Sequence, residues 1–394
     1  MPYWELTLGL EMINDKLKIG VLNAHSLDQI YTPLAYFILN RRAHKKYDAI
    51  SEYFRNKGYF YFDMTESSFV GQKTSLKLTI FIFLLNIIEI PLWCKINRIP
   101  LSRVRLLSKK SKVEYTSIII FSYKHFLNFS QAKSRRVNQF KKVYIHLSHY
   151  MLAADLKSSL AQTMYPNAVL LTDSDFVNNC FFKLLYSHEV KILPFNVQKR
   201  FRLTADEATS YFKQRSEKIV IGGTIPNLLK GKDAELTEYF RFAVEGSDYH
   251  YLRRSLSELD DAKFLNLCEN LKVCEELGID SSIETEGFYP AVFKRVKFCC
   301  FGDEIAGAVA ISNLEAMSCG VLPFISGVSL SGLPFTENLD FVYCPTNPIE
   351  FQKWFELNKL ALDQIYIQGY TSRIQSGVKL EKYVYKTLEK FKNE

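Results

Sequence analysis

The feature that most constrains the fold is an alternation that runs the length of the chain: short apolar runs bounded by turn residues, separated by amphipathic stretches. Such runs suit strands buried on both faces, and the stretches between them suit helical crossovers, so the pattern is that of parallel sheets covered by helices. The fold class is therefore α/β. Expected strands in the first half are Leu17 to Leu22, Ser117 to Phe121, Val143 to Leu147, Ala168 to Thr172 and Lys191 to Pro194. In the second half they are Lys218 to Ile221, Lys297 to Phe301, Val321 to Ile325 and Phe341 to Tyr343. The two sets are separated by Phe195 to Glu217, which is polar and charged without a long apolar run and marks a domain boundary. At roughly 100–200 residues per domain, 394 residues make two or three domains. The expected division is a first lobe at 1–195, a second at 196–372 and a C-terminal helix at 373–394. In that helix Val378, Leu380, Tyr383, Val384, Leu388 and Phe391 fall near one face, ready to pack back on the first lobe.

Composition excludes other classes. Apolar residues at 47%, with 17 Gly and 12 Pro, rule out collagen-like, low-complexity and disordered chains. The net charge of +8 is unevenly spread: residues 1–195 carry 26 Lys and Arg against 14 acids, the remainder 24 against 28. Eight cysteines without a CxxC pair read as reduced thiols, and MPYWELTLGLEM lacks a secretory pattern, so the expected location is cytoplasmic. Thr79 to Trp93 is the most apolar stretch but is shorter than the ~20 residues of a spanning helix and contains Asn86, Glu89 and Pro91. From Lys95 to Lys142 there follow 13 Lys and Arg and a single acid, Glu114. Two readings stand side by side: residues 79–142 as a peripheral contact with an anionic membrane, or a buried helix beside a solvated basic face. No RNA- or DNA-binding signature is present, so nucleic acid is not an expected partner.

The segment richest in chemistry is FGDEIAGAVAISNLEAMSCGVLPFISG, Phe301 to Gly327. Ser312 or Asn313 is suited to cap a short helix with Glu315 in its first turn, Gly320 to form its left-handed C-terminal cap, and VLPFI to return into the sheet. Glu315 then lies near the carboxyl edge of a parallel sheet, where open α/β sheets bind ligands and a carboxylate accepts hydrogen bonds from vicinal ribose hydroxyls. The plain alternative is an acid favoured in a helix's first turn.

NLEAMSCGVLPFIS resembles the nucleotide-binding segment of retaining GT-B glycosyltransferases, bacterial capsule and O-antigen enzymes among them. KIVIGG (218–223) looks like the first strand and glycine turn of their second lobe, and YPNAVLLTDSDFVNNCFFKLL like the last strand and helix of their first. The likeness runs over roughly residues 141–350. It implies two Rossmann-like lobes with an interdomain cleft, a nucleotide-sugar donor as substrate without a further cofactor, a glycan or lipid-linked acceptor, and retention of configuration. It also implies that Glu315 binds the nucleotide ribose. The family spaces its two glutamates eight apart, where this chain has Gly307; the nearest acid is Glu304, a candidate contact to donor sugar or acceptor.

A nucleoside diphosphate leaving group needs cations or backbone N–H groups. Candidates are Gly222 and Gly223 at a strand end, Lys230 and Lys232, and the pair Arg253 and Arg254, whose guanidinium forks suit phosphate. His146 and His149 flank the end of VYIHL; alternation makes His146 a core residue, and His149 a candidate for a donor or acceptor hydroxyl. Asp173-Ser174-Asp175 matches the metal-binding pattern of the GT-A architecture, but serves equally as a helix N-cap, and no metal site is expected. P-loop, HExxH, GxSxG and GxGxxG motifs are absent. The expected activity is sugar transfer in bacterial surface-polysaccharide synthesis. A sugar-nucleotide epimerase, a GT-A transferase and a catalytically silent interaction subunit are the alternatives.

Overall fold

The computed structural model describes residues 18–22, 48–62, 98–106, 116–120, 139–146, 168–173, 189–194, 196–221, 263–267, 269–283, 285–301, 311–325, 330–345 and 347–394, with 87, 90, 91, 94, 95 and 137. They fall into two compact units. Unit 1 comprises residues 1–172, 181–193 and 383–394, and unit 2 residues 173–180 and 194–382.

Unit 1 holds a seven-stranded sheet: β1 (Lys18–Leu22), β2 (Tyr59–Phe62), β3 (Val104–Leu106), β4 (Thr116–Ile120), β5 (Lys142–His146), β6 (Val169–Thr172) and β7 (Val190–Ile192). The spatial order is β3-β2-β1-β4-β5-β6-β7 and all pairings are parallel. Strand order thus reverses between β1 and β4, the doubly wound arrangement of a Rossmann-like sheet. Ile118, Ile119, Tyr144, Ile145, Leu170 and Leu171 are wholly buried, as strands covered on both faces require. Helix α1 (Asp48–Asn56) packs on β2 and buries Tyr53 and Phe54.

Two of these strands were not expected. β2 is a run of four aromatics, and β3 lies inside the basic stretch. There Arg103 donates to the Asn56 carbonyl at 2.6 Å, and the guanidinium of Arg105 stands 4.8 Å from the Tyr59 ring. Some of the basic residues therefore build unit 1. Within Thr79 to Trp93 and just beyond it, Ile90 and Cys94 are buried while Ile87 is exposed. Among the described residues no helix is long and apolar enough to cross a membrane.

Unit 2 holds β8 (Ser216–Ile221), β9 (Phe264–Asn266), β10 (Val296–Cys300), β11 (Leu322–Ile325) and β12 (Val342–Tyr343). Their order is β12-β11-β10-β8-β9, again all parallel. The helices are α2 (Ala205–Phe212), α3 (Asn270–Leu277), α4 (Thr285–Phe293), α5 (Ile311–Ser318) and α6 (Pro348–Ile374). Ile219, Ile221, Phe298, Leu322 and Phe324 from the sheet pack against Phe351, Phe355, Leu362 and Tyr366 of α6. The segment after β7 is ordered too: Phe201 is buried, and α2 opens with a capping box between Thr204 and Glu207.

The last helix, α7 (Ser376–Asn393), contributes its first seven residues to unit 2 and the rest to unit 1. Its expected packing onto the first lobe is observed. Val384, Leu388 and Phe391 are buried, and the Phe391 ring stacks on Tyr144 at 4.3 Å. Glu389 pairs with Lys57 at 2.9 Å. The Glu394 carboxylate accepts hydrogen bonds from Tyr144 at 2.9 Å, Lys142 at 3.1 Å and Lys191. Val378, placed on the same face by periodicity, is 41% exposed instead.

Candidate functional site in the second unit

In the second sheet the strand order reverses between β8 and β10, and both strands end at the same edge, with Cys300 in register with Ile221. Open α/β sheets bind ligands at such a reversal, beyond the carboxyl ends of the strands. The chain leaves β10 there and returns to β11 through α5, the helix that carries Glu315.

Helix α5 begins at Ile311, one residue before the expected caps. Ser312 and Asn313 are inside the helix, and Asn313 is 1% exposed. Glu315 consequently opens the last turn and not the first, where no acid is found. This corrects the expectation on two counts. A crossover helix runs from the carboxyl ends of the strands back to their amino ends, and Arg215 ties the Cys319 carbonyl just past α5 to that of Val296 at the start of β10, so Glu315 stands part-way down from the carboxyl edge. Near a helix C-terminus, moreover, the dipole disfavours a carboxylate, which removes the plain alternative. Leu314, Ala316, Met317 and Ser318 are buried around it, while Glu315 is half-buried.

The C-terminal cap is as expected. Gly320 has φ +86°, its N–H donates to the Met317 carbonyl at 2.7 Å, and the Val321 N–H reaches back to Ala316 at 3.1 Å. This is the Schellman pattern, in which a left-handed glycine satisfies the last helical carbonyls. A Cβ on Gly320 would lie 2.4 Å from Cε2 of Tyr370, so both backbone and space demand glycine.

Two buried guanidinium groups lock this turn, and neither was expected from the sequence. Arg215 donates to the Val296 carbonyl at 3.1 Å, to the Tyr370 hydroxyl at 3.3 Å and to the Cys319 carbonyl. Arg373 donates through Nε to the Gly320 carbonyl at 3.2 Å and through its terminal nitrogens to the carbonyls of Leu339, at 2.7 Å, and Tyr366. Burial pulls the Arg373 pKa down to about 10, so the group still carries its charge at neutral pH. Side chains reinforce the turn: Ser318 Oγ lies 3.0 Å from Ser376 Oγ, and the Cys319 thiol donates to the Phe201 carbonyl at 3.1 Å. Burial pushes that thiol up to about 12, with Glu315 among the charges adding to the shift, so Cys319 is inert packing. The result is a short helix fixed to β10, β11 and α6 that presents one carboxylate from a rigid support.

Of the other candidates, Gly222, Gly223, Lys230, Lys232, Arg253, Arg254, Glu304, His149 and Asp175 lie outside the described residues. Gly222 follows directly on the end of β8, and Glu304 lies in the segment between β10 and α5. His146 is a core residue as expected: it is 2% exposed and its Nε2 is 2.8 Å from the Leu193 carbonyl oxygen. Asp173 is buried at the end of β6. Among the described residues no three His, Cys, Asp or Glu side chains cluster as a metal site.

No protein-family model matches the chain, and no curated protein matches it in sequence. Solved structures do match. HepE of Anabaena in complex with UDP and glucose is 12% identical, with 94% of this chain and 99% of that chain covered and a TM-score of 0.47. Sucrose-phosphate synthase of Thermosynechococcus elongatus is 10% identical over 94% and 99%, with a TM-score of 0.45. WaaG, a glycosyltransferase involved in lipopolysaccharide biosynthesis, is 12% identical over 93% and 95%, with a TM-score of 0.30.

Proposed function

We propose that the chain is a glycosyltransferase that moves a sugar from a nucleotide-sugar donor to a glycan or lipid-linked acceptor in bacterial surface-polysaccharide synthesis. The observation that carries this reading is the placement of Glu315. It stands on the crossover helix that follows the strand-order reversal of the second sheet, one turn before the cap that Arg215 and Arg373 hold through the Cys319 and Gly320 carbonyls. The carboxylate has the chemistry a ribose calls for: two vicinal hydroxyls donate to its two oxygens.

In this reading the donor diphosphate develops negative charge as the glycosidic bond breaks. Backbone N–H groups at Gly222 and Gly223 and the cations Lys230, Lys232, Arg253 and Arg254 are the groups proposed to meet it. Glu304 and His149 are proposed contacts to the donor sugar or the acceptor hydroxyl. Transfer proceeds with retention and without a metal ion, the donor phosphate taking the proton of the incoming hydroxyl.

The test is release of nucleoside diphosphate from a panel of nucleotide sugars, with and without acceptor glycolipids and with and without chelator. Acceptor-dependent release that survives chelation is expected. Conversion of the donor sugar without acceptor makes the protein an epimerase. Turnover abolished by chelator and restored by manganese points to Asp173 and Asp175 and the GT-A alternative. Failure to bind any nucleotide sugar leaves an interaction subunit.

A further inference from the structure

We propose that residues 95–105 form a preformed hook that docks unit 1 on an anionic lipid surface, with Leu101 as its apolar tip. The segment KINRIPLSRVR carries four cations and no acid. Both of its ends are tied to the body of the unit. Cys94 and Ile99 are buried, and the Ile99 N–H donates to the Cys94 carbonyl at 2.8 Å. At the far end Arg103 donates to the carbonyls of Asn56 at 2.6 Å and Gly58 at 3.4 Å, where α1 stops. Between these ties the chain faces water. Arg98 is exposed and held at φ +54°, in the left-handed region that favours glycine, Pro100 is exposed, and Leu101 is 68% exposed. An apolar tip already ordered in the free protein loses little conformational freedom when it inserts.

The cations beside the tip are gathered, not scattered. Lys18 Nζ and the guanidinium groups of Arg103 and Arg105 stand 5.4, 5.7 and 4.8 Å from the centre of one ring, that of Tyr59. Among the described residues none of Lys18, Lys95, Arg98, Arg103 and Arg105 pairs with a carboxylate; the acids of unit 1 that do pair, Glu189, Glu389 and Glu394, are taken by Lys57, Lys142 and Lys191. Lys18 and Tyr59 open β1 and β2, and Arg103 directly precedes β3, so the cluster lies at the amino ends of these parallel strands. Open α/β sheets take small ligands at the opposite, carboxyl ends. Docking through this cluster therefore leaves the ligand edge of the sheet free.

Charge and shape together select lipid. Uncompensated cations flanking a projecting leucine match a layer of anionic headgroups with acyl chains beneath it. Single-stranded nucleic acid stacks its bases on open aromatic faces, and the ring of this cluster is already taken by cations. The contact is thereby narrowed from a long basic stretch to one loop whose geometry exists before any lipid is met, and it stands whatever reaction the protein performs.

Co-sedimentation of the full chain with vesicles of phosphatidylcholine, alone or mixed with phosphatidylglycerol, tests the proposal. Wild type should partition to the mixed vesicles. A Lys95→Gln/Arg98→Gln variant should do so about 25-fold more weakly, at about fivefold per cation, with unchanged melting because both side chains are exposed. Insertion is read separately with Leu101→Trp, whose fluorescence in excess of wild type should shift to the blue on the mixed vesicles and be quenched by brominated acyl chains. A wild-type chain that stays in the supernatant or partitions equally to both vesicle types overturns the proposal. So does partitioning that survives Lys95→Gln/Arg98→Gln unchanged, or an introduced tryptophan that neither shifts nor is quenched. Displacement of the vesicles by polyuridylate bound through the same cations would reassign the loop to nucleic acid.

Discussion

Replacing Gly320 by alanine tests how the turn behind Glu315 is built. Two costs are readable from the geometry. The residue sits at φ +86°, in the left-handed region, where an L side chain costs ~1–2 kcal/mol. The added Cβ would also stand 2.4 Å from the Tyr370 ring. That ring cannot simply step aside, because its hydroxyl donates to the Ala208 carbonyl at 2.9 Å and its face lies 5.2 Å from the Arg215 guanidinium. Overpacking of this kind costs ~1–3 kcal/mol, so Gly320→Ala should destabilise by about 2–5 kcal/mol in urea unfolding. The two costs separate in a Tyr370→Ala background, where the ring is gone and only the backbone cost, ~1–2 kcal/mol, remains. A loss below about 1 kcal/mol in the wild-type background, or the same loss in both, would refute the reasoning.

Three further outcomes follow from the same contacts. Partial burial pushes the Glu394 carboxyl up, but hydrogen bonds from Lys191, Tyr144 and Lys142 outweigh it and pull the pKa down to about 2. The unfolded chain therefore takes up this proton before the folded one does: the stabilisation is complete above about pH 5 and is lost as pH falls toward 2. Glu394→Gln should accordingly melt below wild type at pH 7, with the gap closing in acid; a gap independent of pH would contradict the assignment. Thr204→Ala removes the hydroxyl that accepts from the Glu207 N–H at 3.3 Å and should cost ~1 kcal/mol, checked by thermal unfolding. For the basic stretch, a Lys109→Glu/Lys110→Glu/Lys112→Glu variant should lose co-sedimentation with anionic vesicles, and wild-type binding should weaken without vanishing as salt rises. Equal partitioning of wild type to anionic and neutral vesicles would return the segment to a solvated basic face.

Nine strands were legible because each is a compact apolar run, from Lys18–Leu22 inside the first sheet to Val342–Tyr343 at the edge of the second. The three that were not legible are short or atypical. Tyr59–Phe62 has no alternation to announce it, Val104–Leu106 alternates with an arginine inside a basic stretch, and Phe264–Asn266 follows directly on the charged run Glu258 to Lys263. On α5 the cap residues misled because Ser and Asn favour N-caps in general, while here Asn313 is buried within the helix. Arg215 and Arg373 were invisible for a deeper reason. Charged residues are assigned to the surface by default, and the carbonyls that make these two exceptions come from residues 34 to 104 positions away as well as from the preceding turns of α6. One local hint existed in Gly369, four residues before Arg373: a Cβ there would strike the Leu339 carbonyl oxygen at 1.9 Å, so the glycine marks where backbone closes on the helix.

The central claim is that the Glu315 carboxylate holds a nucleotide ribose, and calorimetric titration with nucleoside diphosphates tests it most directly. Wild type should bind at least one of them. Glu315→Gln, with unchanged melting, should bind that ligand tenfold or more weakly, a loss of about 1.4 kcal/mol or greater for hydrogen bonds to a charged acceptor. The 2′,3′-dideoxy form should bind the two proteins alike, since it offers no hydroxyls to lose. Equal affinity of wild type and Glu315→Gln for the ordinary nucleotide would contradict the account.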